Sequence, residues 1–382
     1  MDKSRYRAFL TIFFFIAGVC FSTWASRIPT VKASFHLNDA ELGTLLLTMP
    51  ISSLIGLPIS GFLVSRFDSR VPLTIAFLGH ALALTLIGFA SSLIVLVASV
   101  ALFSFSTRIL NISMNTQAIT IQKMYDRKIN GSFHALWSTG GIVGISFSTL
   151  LLKLHVPIHI HFSIVAAFTA IATLIFSNHL LKGDRSEKGN KIIIGKPDPF
   201  VLYLGVIVFF SAVCEGGMFD WSGIYFKEVV GEDIFTAGYL IFMTFMALSR
   251  FVSDRIVERI GMAKTYILSS ALIVSGILLA ILFPHFWSAL VGFSLVGFGT
   301  ASVIPMTFTL AGTSKKYSPG LAISIVTTYV IVGMLLGPPL IGYIAHAFGL
   351  QRAFIAFAIA GLMITPMSRM FFAHKRKIEA AD

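Results

Sequence analysis

Two carboxylates stand where carboxylates are costly. Glu215 and Asp220 belong to the stretch Glu215-Gly-Gly-Met-Phe-Asp220-Trp221, inside an apolar run from about 199 to 226. An acid at the centre of a bilayer costs about 3 kcal/mol on insertion scales, so such a pair reads as part of a transport pathway or proton relay. The proton affinity of a buried carboxylate follows whatever charges approach it. That makes Glu215 the first candidate for proton coupling and Asp220, five residues later, the second. A cationic set lies in the run 93–120, where Arg108, Asn111 and Asn115 are spaced i, i+3, i+7 and therefore share one helical face. Arg108 is 15 residues into its run and Glu215 is 16 into its own. At 1.5 Å per residue both sit about 22–24 Å along a helix, near mid-membrane depth.

The rest of the composition supports a lipid solvent. Of 382 residues, 56% are hydrophobic and only 12% charged, with a mean hydropathy of +0.86, more apolar surface than a soluble fold can hide. The formal charge of +12 does not indicate nucleic acid, because the basic residues fall between apolar runs instead of forming a stripe. Cys20 and Cys214 lie inside hydrophobic segments and form no disulfide framework or zinc spacing. The basic start (Lys3, Arg5, Arg7) before an apolar stretch resembles a signal peptide. The many apolar spans that follow make it the first membrane helix.

Runs of membrane-spanning length fall at 8–26, 41–65, 71–91, 93–120, 131–153, 159–181, 199–226, 236–256, 263–283, 286–311, 319–346 and 350–372. The expected fold class is an all-α membrane protein with twelve transmembrane helices. Its domains are an N-terminal six-helix bundle (1–181), a polar cytoplasmic linker (182–198) and a C-terminal six-helix bundle (199–382). Basic residues collect on one side, around 3–7, 66–70, 123–128, 182–196, 250–264, 315–316 and 369–377. The other side holds Arg27, Lys32, Lys153, Lys227 and Arg352. By the positive-inside rule the richer side and both termini are cytoplasmic. An internal repeat at an offset of 193 pairs Arg66 with Arg259, Lys123 with Lys316, Gly140 with Gly333 and Gly144 with Gly337. Two parallel six-helix halves of this kind are a recurrent plan for secondary transporters.

Particular motifs carry a resemblance over essentially the whole chain. Ser249-Arg250-Phe-Val-Ser-Asp254-Arg255-Ile-Val-Glu258-Arg259-Ile-Gly261 is similar to the Gly-Arg…Asp-Arg…Gly signature of the major facilitator superfamily. Gly61-Phe-Leu-Val-Ser65-Arg66-Phe-Asp68-Ser-Arg70 is a degenerate copy lacking the carboxylate that Asp254 supplies. Trp24-Ala-Ser-Arg27-Ile-Pro29, Asn115-Thr-Gln117, His134-Ala-Leu-Trp137-Ser-Thr-Gly140-Gly141, Glu215 through Ser222 and Gly337-Pro338-Pro339-Leu-Ile-Gly342 resemble bacterial inner-membrane permeases distantly related to fucose permeases. The resemblance implies two pseudo-symmetric bundles, with a cavity lined by the first, fourth, seventh and tenth spans. It also implies a cytoplasmic charge latch of Arg250, Asp254 and Arg255. Relatives often carry an acid at the position of Asn111 and a small residue at that of Arg108; if they couple to protons through that acid, coupling here must use another group or be absent.

On this reading Arg108 fixes an anionic or oxygen-rich group, Asn111 and Asn115 hydrogen-bond it, and Trp24, Trp137, Trp221 or Tyr329 stacks on its apolar surface. The alternative is a structural Arg108–Glu215 ion pair. Asp220 reads as a gate or interfacial group, with Arg27 or Lys227 as partner. The expected protein is a monomer in the bacterial cytoplasmic (inner) membrane, without a cofactor. It moves a small polar solute, sugar-like or an organic anion, by alternating access with protons as the coupling ion. An exporter of amphipathic drugs or metabolites working as a proton antiporter is the alternative, because 36 phenylalanines and 13 methionines suit an adaptable apolar cavity. No phosphate-cradling Gly-x-x-x-x-Gly-Lys motif is present, so ATP is not the direct energy source. An enzyme is not expected. His155, His159 and His161 are spaced like metal ligands but read as a solvated periplasmic loop, and His134 and His80 as structural histidines.

Overall fold

In lipid every backbone N–H and C=O must be satisfied within the chain, which leaves helices as the natural outcome for these apolar runs. The computed structural model describes residues 3–125, 129–184, 198–317 and 319–379. Among them are twelve helices long and apolar enough to cross a membrane. They are α1 (Lys3–Ser34), α2 (Asp39–Arg66), α3 (Arg70–Gly88), α4 (Leu93–Gln122), α5 (Asn130–Lys153) and α6 (Ile158–His179). Then follow α7 (Pro199–Val230), α8 (Thr236–Ile260), α9 (Met262–Leu282), α10 (Phe286–Ala311), α11 (Pro319–Phe348) and α12 (Leu350–Ile378). Three details differ from the sequence expectation, one of them a break in α12 between Ala353 and Ile355. α10 is interrupted, its first piece ending at Thr300 and its second starting at Val303. α7 closes with a wide π turn over Phe226–Val230 before left-handed Gly231.

The chain forms two compact units, Met1–Phe35 with Thr48–Lys191, and His36–Leu47 with Ile192–Asp382. Of the linker expected at 182–198, residues 185–197 lie outside the described residues. Each unit has the same tight seam between its first and fifth helices. In the first unit, a Cβ on Gly140 of α5 would fall 2.1 Å from the Phe15 carbonyl oxygen of α1, and one on Gly144 would fall 2.8 Å from that of Val19. In the second, Gly333 of α11 stands in the same relation to Phe209 of α7 (2.5 Å) and Gly337 to Val213 (3.0 Å). Small residues let the backbones come this close, a packing mode suited to lipid. The glycines repeat at an offset of 193 and the carbonyls they face at 194, one residue apart in register.

The second unit includes the turn before α2 and its first turns. There Asn38 and Glu41 form a reciprocal cap, each side chain accepting the other's backbone N–H at 2.9 Å, which fixes where α2 starts. Gly43 and Gly342 meet backbone to backbone, and Thr44 Oγ1 lies 3.0 Å from Tyr343 Oη. α11 remains helical through Pro338 and Pro339.

Candidate functional site

The first unit carries the cationic face on α4. α2 and α4 are joined by two hydrogen bonds at one constant register, both spanning 55 residues. Ser104 donates to the Met49 carbonyl, and Arg108 donates from Nε to Ser53 Oγ at 2.7 Å. One helical turn separates the two bonds on each helix. Gly56 lies one turn beyond Ser53. A Cβ there would come within 3.2 Å of Arg108 Cβ and 3.3 Å of its Cγ, so the glycine leaves room for the arginine stem. Arg108, Asn111 and Asn115 are all half-buried. Asn115 donates through Nδ2 to the Asn111 carbonyl at 2.7 Å, which turns its own amide oxygen outward from that bond.

The aromatic candidates differ from one another. Trp24 is completely buried beside Phe103, with ring centroids 6.2 Å apart, and its indole N–H has no hydrogen-bond partner among the described residues. Trp137 is half-buried near Phe21. In the second unit the Tyr329 ring lies against Gly205 of α7, within 2.6 Å of where a Cβ would be. Trp221 is fully buried and donates to the Pro338 carbonyl at 3.1 Å, so it is a strut between α7 and α11 in this structure.

Glu215 is buried on α7, and Arg250 of α8 approaches it with Nη2 3.8 Å from Oε1. That is an ion pair too long for a hydrogen bond. Ser211 and Ser222 share the Glu215 face by helical spacing, and both hydroxyls are buried without a hydrogen-bond partner among the described residues. Asp220 is half-buried. Lys227, one of the basic partners expected for it, lies over the Phe235 ring.

Arg250, which the sequence resemblance places in a cytoplasmic latch, lies ten residues before the end of α8, about 15 Å along the axis. A long flexible stem lets its guanidinium reach inward. Arg255 is exposed, and the side chain of Asp254 lies outside the described residues. Within the first unit Arg108 is bonded to Ser53, and within the second Glu215 faces Arg250.

Other polar contacts were not foreseen. Arg27, nearly inaccessible, donates from Nε to His161 Nδ1 at 3.1 Å and from Nη2 to the Val156 carbonyl at 3.2 Å. His159 and His161 lie inside α6, which starts at Ile158, not in a loop. Among the described residues no group of three or more His, Cys, Asp or Glu could hold a metal. Asp184, past the end of α6, accepts the backbone N–H of Ser69 at 2.9 Å and its hydroxyl through the other oxygen. It brings a second carboxylate, beside Asp68, to the α2–α3 turn, whose motif has none at the position matching Asp254. Gln117, fully buried on α4, grips Leu181 through the latter's carbonyl and N–H.

With this geometry described, comparison with known proteins decides the family. The Major Facilitator Superfamily model matches residues 9–314 and 241–381. The chain belongs to the Major Facilitator Superfamily. An uncharacterised transporter of this superfamily from Yersinia pestis is 32% identical over 358 residues, covering 93% of each chain. The membrane protein MosC of Rhizobium meliloti is 30% identical over 365 residues, 95% of this chain and 89% of its own. Among solved structures, a mutant form of the nucleoside transporter NupG superposes with a TM-score of 0.78 at 12% identity, covering 96% of this chain and all of that one. A bacterial homologue of the human lysosomal transporter Spinster, inward-facing and occupied, gives 0.74 at 15% identity over 96% of this chain and 97% of its own. At such identities the structures establish the superfamily fold, with its twelve helices in two pseudo-symmetric six-helix bundles. The protein is a multi-pass membrane transporter of small molecules.

Proposed function

We propose that this superfamily member is a proton-coupled secondary transporter moving a small polar solute, sugar-like or an organic anion, across the bacterial cytoplasmic membrane. Both termini would face the cytoplasm, and alternating access would expose the solute site to each side in turn. The observation that carries the reading is the state of Glu215. A buried carboxylate that no described donor hydrogen-bonds, with one guanidinium 3.8 Å away, is poised to exchange a proton whenever that guanidinium moves. A purely structural pair would be expected to close to hydrogen-bond distance. Buried hydroxyls above and below it on α7 offer places for water to carry the proton. The solute would be met on α4, where Arg108, Asn111 and Asn115 make the mid-depth polar face. Asp220, nearer the end of α7, would serve as a gate.

The test uses purified protein in liposomes containing a pH-sensitive dye, challenged with a library of polar metabolites. At least one solute is expected to drive proton movement through the wild-type protein. Glu215→Gln should abolish that movement while leaving the same solute's effect on thermal unfolding intact. Proton movement of wild-type size in Glu215→Gln would remove the assignment.

A further inference from the structure

Ser53 is the most informative neighbour of Arg108. A guanidinium has five N–H donors in a rigid plane, and here the single Nε donor is committed to Ser53 Oγ at 2.7 Å. Among the described residues neither terminal nitrogen takes part in a hydrogen bond or ion pair. Committing Nε fixes the tilt of the plane, and the missing side chain of Gly56 leaves room for the stem. The two Nη groups are left as a fork. Arg108 is half-buried at the middle of a membrane helix, and the uncovered part of a guanidinium there belongs against water or solute, not lipid.

What fits such a fork is an oxyanion with two oxygens in one plane, which two parallel N–H groups can hold at once. Further along the same face the chemistry changes. Asn115 spends its Nδ2 on the Asn111 carbonyl, so its amide oxygen is left to accept from a hydroxyl. The Asn111 side chain makes no hydrogen bond among the described residues and offers both a donor and an acceptor. From Arg108 to Asn115 is about 10 Å along the axis, the length of a six-carbon acid with its hydroxyls in hydrogen-bonding reach.

We propose that the α4 face binds a polyhydroxylated monocarboxylate, and that Ser53 of α2 is the positioning residue that turns Arg108 toward its carboxylate. The proposal rests on the reading of Arg108 as part of the solute path and narrows it to one substrate class. One cation on the face matches one negative charge, and the asparagines match hydroxyls.

The probes are glucuronate and gluconate, each paired with its uncharged counterpart, glucose and sorbitol. Binding is measured on the purified full-length protein as a dissociation constant. Wild-type protein should bind at least one acid more tightly than its neutral partner. Ser53→Ala should weaken the acid roughly tenfold, as expected for losing orientation of a charge-assisted hydrogen bond, while leaving weak binding of the neutral partner unchanged. Ser53→Thr, which keeps the hydroxyl, should restore the acid preference. Arg108→Lys should lose it, because an ammonium cannot form the two-pronged contact. A general loss of packing would weaken acid and neutral solutes together and would not be rescued by threonine.

Several outcomes overturn the proposal. They are neutral solutes binding as well as their acids, no acid binding at all, and Ser53→Ala keeping the wild-type preference. If Arg108→Ala abolishes binding but Ser53→Ala does nothing, the solute path stands and the orientation by Ser53 falls. If Arg108→Ala binds acids and neutral solutes as wild type does, the solute path itself falls.

Discussion

At the scale of the residue, the polar side chains fall into two kinds, those bonded directly to a partner and those held at a distance. Arg27 is of the first kind. Its bond into His161 Nδ1 requires that nitrogen to be unprotonated, so the imidazole proton sits on Nε2, facing Ser148 Oγ at 3.4 Å. Glu215 is of the second. Its depth could be counted from the sequence, because residues per span convert directly to ångströms. Its partner could not, because linear spacing does not tell which neighbouring helix a long side chain will reach. Arg250 was therefore read with the loop motif that contains it. A double-mutant cycle tests the contact. Arg250→Ala leaves a buried carboxylate without its cation and should lower stability by about 1 kcal/mol, the modest value reflecting a guanidinium about one-third exposed at 3.8 Å. Adding Glu215→Gln should recover most of the loss, since the uncompensated charge is gone. Thermal unfolding in detergent reads both steps, and strictly additive losses would show that the pair does not interact.

At the scale of the element, the glycine positions on α5 and α11 were legible as a repeat but not as a contact. An offset of 193 is a pattern in one dimension. Only the structure shows that Gly140 and Gly333 face the carbonyl oxygens of Phe15 and Phe209, and Gly144 and Gly337 those of Val19 and Val213. The break in α10 at Ala301 and Ser302 was hidden for a different reason, because neither residue type interrupts an apolar run. The seam distances predict an order of sensitivity. Replacing each glycine with alanine places a methyl 2.1 Å (Gly140), 2.5 Å (Gly333), 2.8 Å (Gly144) and 3.0 Å (Gly337) from a backbone oxygen that cannot swing away. Overpacking of this kind costs about 1–3 kcal/mol. The fall in unfolding temperature should follow that order, with Gly140→Ala worst and Gly337→Ala mildest. A flat series would show that the helices separate freely enough to absorb a methyl.

At the scale of the whole molecule, twelve spans and a division into halves could be counted because lipid imposes the simplest rule in protein structure, a helix for every crossing. The motif loops were harder. The degenerate first copy of the signature was read as lacking the carboxylate that Asp254 supplies in the second, and Asp184 reaches the same turn from beyond α6 and bonds Ser69 twice. The signal was an acid standing between Lys182 and Arg185, a place where the positive-inside rule asks only for bases. The proposed orientation rests on those bases and has a direct test. Both native cysteines are completely buried, so single reporter cysteines can be added to the natural background. Ser91, in the turn between α3 and α4, and Arg259, at the end of α8, are both exposed and lie on opposite sides in the proposed topology. A membrane-impermeant maleimide should label Ser91→Cys in cells whose inner membrane is intact, and Arg259→Cys only after that membrane is opened. Labelling with the reverse pattern would invert the orientation. It would also place the basic loops outside, where the charge segregation of this sequence has no physical explanation.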